Sequence, residues 1–136
     1  MPASVRFSTV FGAAVLAVAG CGASSVSPPP DSAAPDVVLG VYLDALVRGD
    51  CSAGQTLGTS TFVFGNGDLC GHTKVSAFSV ASPPAEPNPT QVVFATTLVT
   101  SGTSDGSISP GSITWFYTLK LQPSGSWRLA GGGGGP

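Results

Sequence analysis

The chain predicts an α+β domain in which helices pack on one face of a curved, mainly antiparallel sheet. Three observations carry this. Residues 35–57 hold an amphipathic helical stretch and a shorter helical segment, residues 74–130 hold segments alternating at period two, and the connections between those segments are rich in turn residues, so that neighbours can pair antiparallel.

The first helix is expected to start at Pro35, because a missing N–H costs nothing in the first turn. Asp36 suits the positive helix end, and Val37, Val38, Val41, Tyr42, Ala45 and Leu46 recur at helical spacing. Arg48 suits the other end and Gly49 is a stop. Asp50 is the expected N-cap of a short helix carrying Cys51, Ala53 and Leu57, weakened by Gly54 and Gly58. Residues 60–71 fit either a third short helix or a hairpin arm, with Gly65-Asn66-Gly67-Asp68 as turn chemistry.

Strands are expected at 74–82, 90–100, 112–122 and 126–130. Pro83 to Pro89 forms a loop that interrupts pairing, and Asp105-Gly106 and Pro123-Ser124-Gly125 mark turns. In the third strand Ile113, Trp115, Tyr117, Leu119 and Leu121 share one face, with Thr114, Phe116, Thr118 and Lys120 on the other.

Ahead of this domain, Arg6 and an apolar run from Phe7 to Val18 have the form of an export leader, too short for a spanning helix of about 20 residues. The run ends in Val18-Ala19-Gly20-Cys21, which resembles the bacterial lipobox. That resemblance implies diacylglyceryl attachment at the Cys21 thiol, cleavage before it, and a lipid-anchored protein on the extracytoplasmic face of the cell membrane. The expected organisation is a signal peptide at 1–20, a disordered tether at 21–34 with three consecutive prolines, an α+β domain at 35–130 and a flexible Gly-rich tail at 131–136. With Cys21 lipidated, Cys51 and Cys70 remain as an even pair in an exported setting, where a disulfide is expected; two buried free thiols are the alternative.

After position 20, four basic residues (Arg48, Lys74, Lys120, Arg128) stand against seven acidic ones, a formal net charge of −3. There is no basic patch, so nucleic acid is not an expected partner. Charged residues make up 9% of the chain, well under the usual quarter or so, with one His and one Glu. This scarcity of titratable groups argues against metal or hydrolytic chemistry, and no cofactor or metal is expected. Asp68, Cys70 and His72 lack a second ligand pair at metal spacing, and 65–68 lacks the acidic ladder of a calcium loop.

Val41-Tyr42-Leu43-Asp44-Ala45-Leu46-Val47-Arg48-Gly49-Asp50-Cys51 resembles the first helix of NTF2-like (cystatin-related, cone-shaped) domains. Gly125-Ser126-Trp127-Arg128-Leu129-Ala130-Gly131-Gly132 resembles their last strand. Small actinobacterial lipoproteins are similar to this chain in leader, Cys pair and ending. The resemblance implies a sheet wrapped around a helix, often enclosing an apolar pocket, on a fold that hosts isomerases, dehydratases, binding modules and dimerisation modules.

In the isomerase branch a carboxylate base works beside an oxyanion hole of Tyr and protonated Asp. Tyr42 and Tyr117 are the corresponding candidates here, while Asp44 lies outside its helix's apolar stripe and is expected to face solvent. Phe94, Trp115, Phe116 and Tyr117 form the candidate ligand or partner face, because Phe116 is surplus to a single core. The expected role is therefore a non-enzymatic binding module for an envelope protein or a small apolar ligand. An isomerase or dehydratase and a structural homodimer are the alternatives.

Overall fold

The computed structural model describes residues 25–135. The leader, the lipobox and Cys21 lie outside them.

Ala34 is extended (ψ 157°), as a residue before proline must be, and Pro35 opens helix α1, Pro35–Arg48. Gly49 ends it in the left-handed conformation. The buried residues are Val38, Leu39, Tyr42, Leu43, Ala45 and Leu46, while Val37 is 46% exposed. The core face is thus rotated from the expected stripe toward Leu39 and Leu43, which are fully buried. Larger side chains gain more from burial, about 1.5–3 kcal/mol each. Asp44 lies on the solvent side and pairs with Arg48 at 3.1 Å. Helix α2, Cys51–Thr56, is capped by Asp50, whose carboxylate accepts from the Ala53 N–H at 3.2 Å. The Cys51–Cys70 disulfide is formed, with a Cα separation of 5.5 Å, and ties α2 to the loop that precedes the sheet.

Residues 60–71 form neither a helix nor a hairpin arm; they are a chain of turns. Four strands follow, β1 Val75–Val80, β2 Gln91–Thr100, β3 Gly111–Leu121 and β4 Trp127–Gly133, in the order β1-β2-β3-β4 with every pairing antiparallel. The alternate residues Val92, Phe94, Thr96, Leu98 and Thr100 of β2 are buried beneath α1, and Tyr117 and Leu119 of β3 join them. The outer edge of β4 is occupied: the Leu129 N–H donates to Leu57 O and the Thr59 N–H donates to Leu129 O. β1 is the opposite edge, with residues 76–80 exposed.

Two segments depart from expectation. The Gly-rich stretch is not a loose tail through its first half, because Gly131, Gly132 and Gly133 pair with Thr118, Tyr117 and Phe116. At Gly132 glycine is required because a second backbone crosses at contact distance: a Cβ there would fall onto Phe116 O and press on Gly67, and a Cβ on Gly67 would fall onto the main chain of Gly131 and Gly132. Likewise, residues 25–34 lie against the domain. Ala33 is buried, the Val26 N–H donates to the Asp50 carboxylate at 3.0 Å, and Asp31 stands 3.6 Å from Arg128. Small side chains and prolines make this close apposition cheap in entropy.

Candidate functional site

An apolar concavity lies where the start of α1 meets the β1–β2 connection, and its construction is local. β1 makes its last ladder bond from the Ala81 N–H to Ala95 O at 2.9 Å. The Ser82–Pro83 peptide is cis. The proline loop then turns back, and Glu86 and Val93 exchange two backbone hydrogen bonds, so the loop continues the line of β1 along β2. The Asn88 side-chain oxygen accepts from the Thr90 N–H and hydroxyl, which turns the chain into β2.

The result is a pocket of about 730 Å³. Its floor is Val92 and Phe94, 7% and 4% exposed, on the core face of β2. Pro35 and Asp36 of α1 form one wall; Val80, Ala81 and Ser82 with Pro84, Pro87, Asn88 and Pro89 form the other. The volume lies within the range of about 300–1,000 Å³ of small-molecule sites, and so does the chemistry, apolar walls with few polar groups. Among the described residues Asp36 is the one ionisable side chain in this lining.

A second constellation lies inside the core. The Tyr42 hydroxyl donates to Asp68 at 2.8 Å, and the Cys70 N–H donates to the same carboxylate oxygen at 3.1 Å. The rings of Tyr42 and Tyr117 meet edge to face at 5.5 Å. Burial is the main reason both phenols resist ionisation, and the negative charge of Asp68 adds to it. Among the described residues the Tyr117 hydroxyl has no hydrogen-bond partner. A cavity of about 300 Å³ reaches Asp68 from outside, bordered by Phe62, Phe64 and His72 but by neither tyrosine. His72 is an exposed loop residue stacked on Phe64, ring centroids 3.7 Å apart. Among the described residues no three His, Cys, Asp or Glu side chains converge on a common point.

The four aromatic residues singled out from sequence are divided between the two faces of the sheet. Phe94 and Tyr117 are directly opposed across β2 and β3 on the core face, Phe94 in the pocket floor and Tyr117 sealed in the core. Trp115 packs on the rim of that core, its indole N–H donating to Gly67 O at 3.3 Å. Phe116 is half-buried on the outer face, beside Val93 and Gly131. Of the four, Phe94 lines the large pocket. Sequence inspection missed Asp36 and Val92 as lining residues and Asp68 as the partner of Tyr42. The available signal for the pocket was the proline run, four prolines in residues 83–89, placed directly before a strand.

No family model, curated protein or solved structure matches the chain.

Proposed function

We propose that this chain is a binding module whose site is the pocket between the start of α1 and the proline loop, taking a small apolar ligand. The observation that carries this is the pocket itself, about 730 Å³ floored by Val92 and Phe94. We propose further that the domain is an NTF2-like cone, held by lipid at Cys21 on the extracytoplasmic face of the membrane. The succession of two helices and four antiparallel strands supports the first part, and the Val18-Ala19-Gly20-Cys21 ending of an apolar leader supports the second. Among the described residues no helix is long and apolar enough to cross a membrane.

Isomerase or dehydratase chemistry would have to use Tyr42, Asp68 and Tyr117. Both tyrosines are fully buried, and the cavity beside Asp68 is lined by neither, which favours binding over catalysis.

Titration of the protein with the neutral fluorophore N-phenyl-1-naphthylamine tests the site. Saturable binding is expected, weakened at least tenfold by Val80→Arg at the mouth and unaffected by Phe116→Ala on the outer face. Absence of saturable binding, or sensitivity to Phe116→Ala alone, overturns the assignment. For the anchor, Cys21→Ala is expected to leave the protein unprocessed or to release it from the membrane fraction. A variant that is cut normally and stays membrane-bound removes the lipid reading.

A further inference from the structure

We infer that the ligand of the α1–proline-loop pocket is an apolar molecule carrying a cationic, hydrogen-donating head group, bound with its charge at Asp36. This rests on the pocket being a ligand site, and adds the chemistry that the site selects.

The inference starts from the donors the lining lacks. Four of the eleven lining residues are Pro35, Pro84, Pro87 and Pro89. Each keeps a carbonyl oxygen and has no backbone N–H. The Ala81 N–H is already bonded to Ala95 O, and Val92 and Phe94 are paired with Leu119 and Tyr117 within the sheet. The remaining side-chain donors of the lining are the Ser82 hydroxyl and the Asn88 amide nitrogen, set against the Asp36 carboxylate and the proline carbonyls as acceptors, a balance that suits a donating ligand.

Charge points the same way. Among the described residues Asp36 is the only ionisable side chain lining the pocket; no Lys, Arg or His among them does so. Among the described residues the salt bridges join Arg48 to Asp44 and Arg128 to Asp31, and neither involves Asp36. The positive end of α1 would by itself favour an anion, but Asp36 in the first turn already supplies that negative charge. The Phe94 ring in the floor adds a surface that attracts ammonium groups. A formal net charge of −3 after position 20 further disfavours anionic ligands.

Three probes sharing one alkyl chain separate the contributions: octylammonium, 1-octanol and octyl sulfate, each below its micellar concentration. They are titrated into the protein while the amide signals of Val80, Val92 and Phe94 are followed by NMR. Octylammonium is expected to bind about two- to five-fold more tightly than 1-octanol, the scale of one partly exposed ion pair, and octyl sulfate more weakly than either. The ammonium preference should shrink in high salt. Asp36→Asn should bring octylammonium down to the level of 1-octanol without changing the alcohol, and Asp36→Glu should retain the preference. Octyl sulfate binding as well as octylammonium, or a preference that survives Asp36→Asn, overturns the inference. If 1-octanol binds at these residues with no charge preference, the pocket remains a ligand site and the cation inference falls. If none of the three probes moves these signals, both fall.

Discussion

The Tyr42 hydroxyl donates to the Asp68 carboxylate at 2.8 Å, joining the middle of α1 to a loop 26 positions later, with both residues buried. The same hydroxyl lies 3.4 Å from the Leu69 N–H, which donates to it, and the Tyr42 ring sits edge-on to Phe62 at 5.2 Å. Tyr42 is thus the point at which helix, turn-rich loop and sheet meet. Tyr117, packed against its ring, has the same burial without a hydrogen bond among the described residues.

The two tyrosines should respond in opposite ways to removal of the hydroxyl. Tyr42→Phe leaves the buried Asp68 carboxylate with the Cys70 N–H but without its hydroxyl donor, takes the acceptor from the Leu69 N–H, and should cost about 1–3 kcal/mol. Tyr117→Phe removes an unpartnered polar atom from the core and should be neutral or stabilising. Urea unfolding of the two variants at neutral pH checks this; equal losses would mean that the Tyr117 hydroxyl has a partner in solution.

Alkaline pH gives a second measurement on the same pair. Both phenols are held above the ordinary value of 10.0, first by burial. The unfolded chain then releases these protons before the folded chain does. The stability they contribute is fully present below pH 10 and is lost as pH rises toward the folded values. Above pH 10 each tyrosine should contribute a loss of about 1.4 kcal/mol per pH unit. Each single Phe variant should remove one such contribution from the slope; an unchanged slope in both would show the phenols to be solvated.

Removing the disulfide should be costly for a domain of this size. Cys51 and Cys70 close a loop spanning 19 positions, and the bridge holds a six-residue helix that contains Gly54. Cys51→Ser with Cys70→Ser, or reduction, should lower stability by about 2–5 kcal/mol. Identical melting temperatures with and without reductant would show the bridge to be energetically idle.

The contact between the 65–68 turn and β4 predicts a difference between neighbouring glycines. Gly65 and Gly67 both have positive φ, 93° and 110°, but a Cβ on Gly65 meets open space while one on Gly67 meets the backbone of Gly131 and Gly132. Gly65→Ala should cost about 1 kcal/mol for conformation alone. Gly67→Ala should cost clearly more and weaken amide protection at Gly131–Gly133, measured by hydrogen exchange. Comparable losses in the two variants would mean that the turn moves off β4 easily.

At the β2–β3 loop, the Asp105 carboxylate accepts from the Thr103 hydroxyl at 2.6 Å and from the Ser107 N–H and hydroxyl at 2.9 and 2.7 Å. These bonds, the Thr103 contact first, lower its pKa from 3.8 to about 2. What the depressed pKa contributes to stability is present above the unfolded value of 3.8 and is lost as pH falls toward 2. An NMR titration should place Asp105 near the bottom of the carboxylate range, and Thr103→Ala should raise it. Titration at the ordinary value in the unsubstituted protein would show that the loop does not hold these bonds.

Much of the fold was legible in the chain. The Pro35 start and Gly49 stop of α1, the Asp50 cap, the four strands and the alternation of Trp115, Tyr117 and Leu119 against Phe116 were each carried by residues within a few positions of one another. The candidate site was barely legible. Phe94 could be singled out as an aromatic in a strand, but nothing near it in sequence indicates that Pro35 and Asp36 close over it.

The sequence by itself determined the local states: where helices begin and end, where the chain turns, which strand residues share a face and which cysteines could pair. Capping, proline geometry and side-chain alternation are short-range and need no neighbour from elsewhere in the chain. Tertiary structure alone decided three things: the rotation of α1 toward Leu39 and Leu43, the recruitment of Gly131–Gly133 into β4, and the enclosure of the pocket by residues 35–36, 80–89 and 92–94. Each depends on the contact of segments tens of residues apart, and a contact's energy exists only once both surfaces have met.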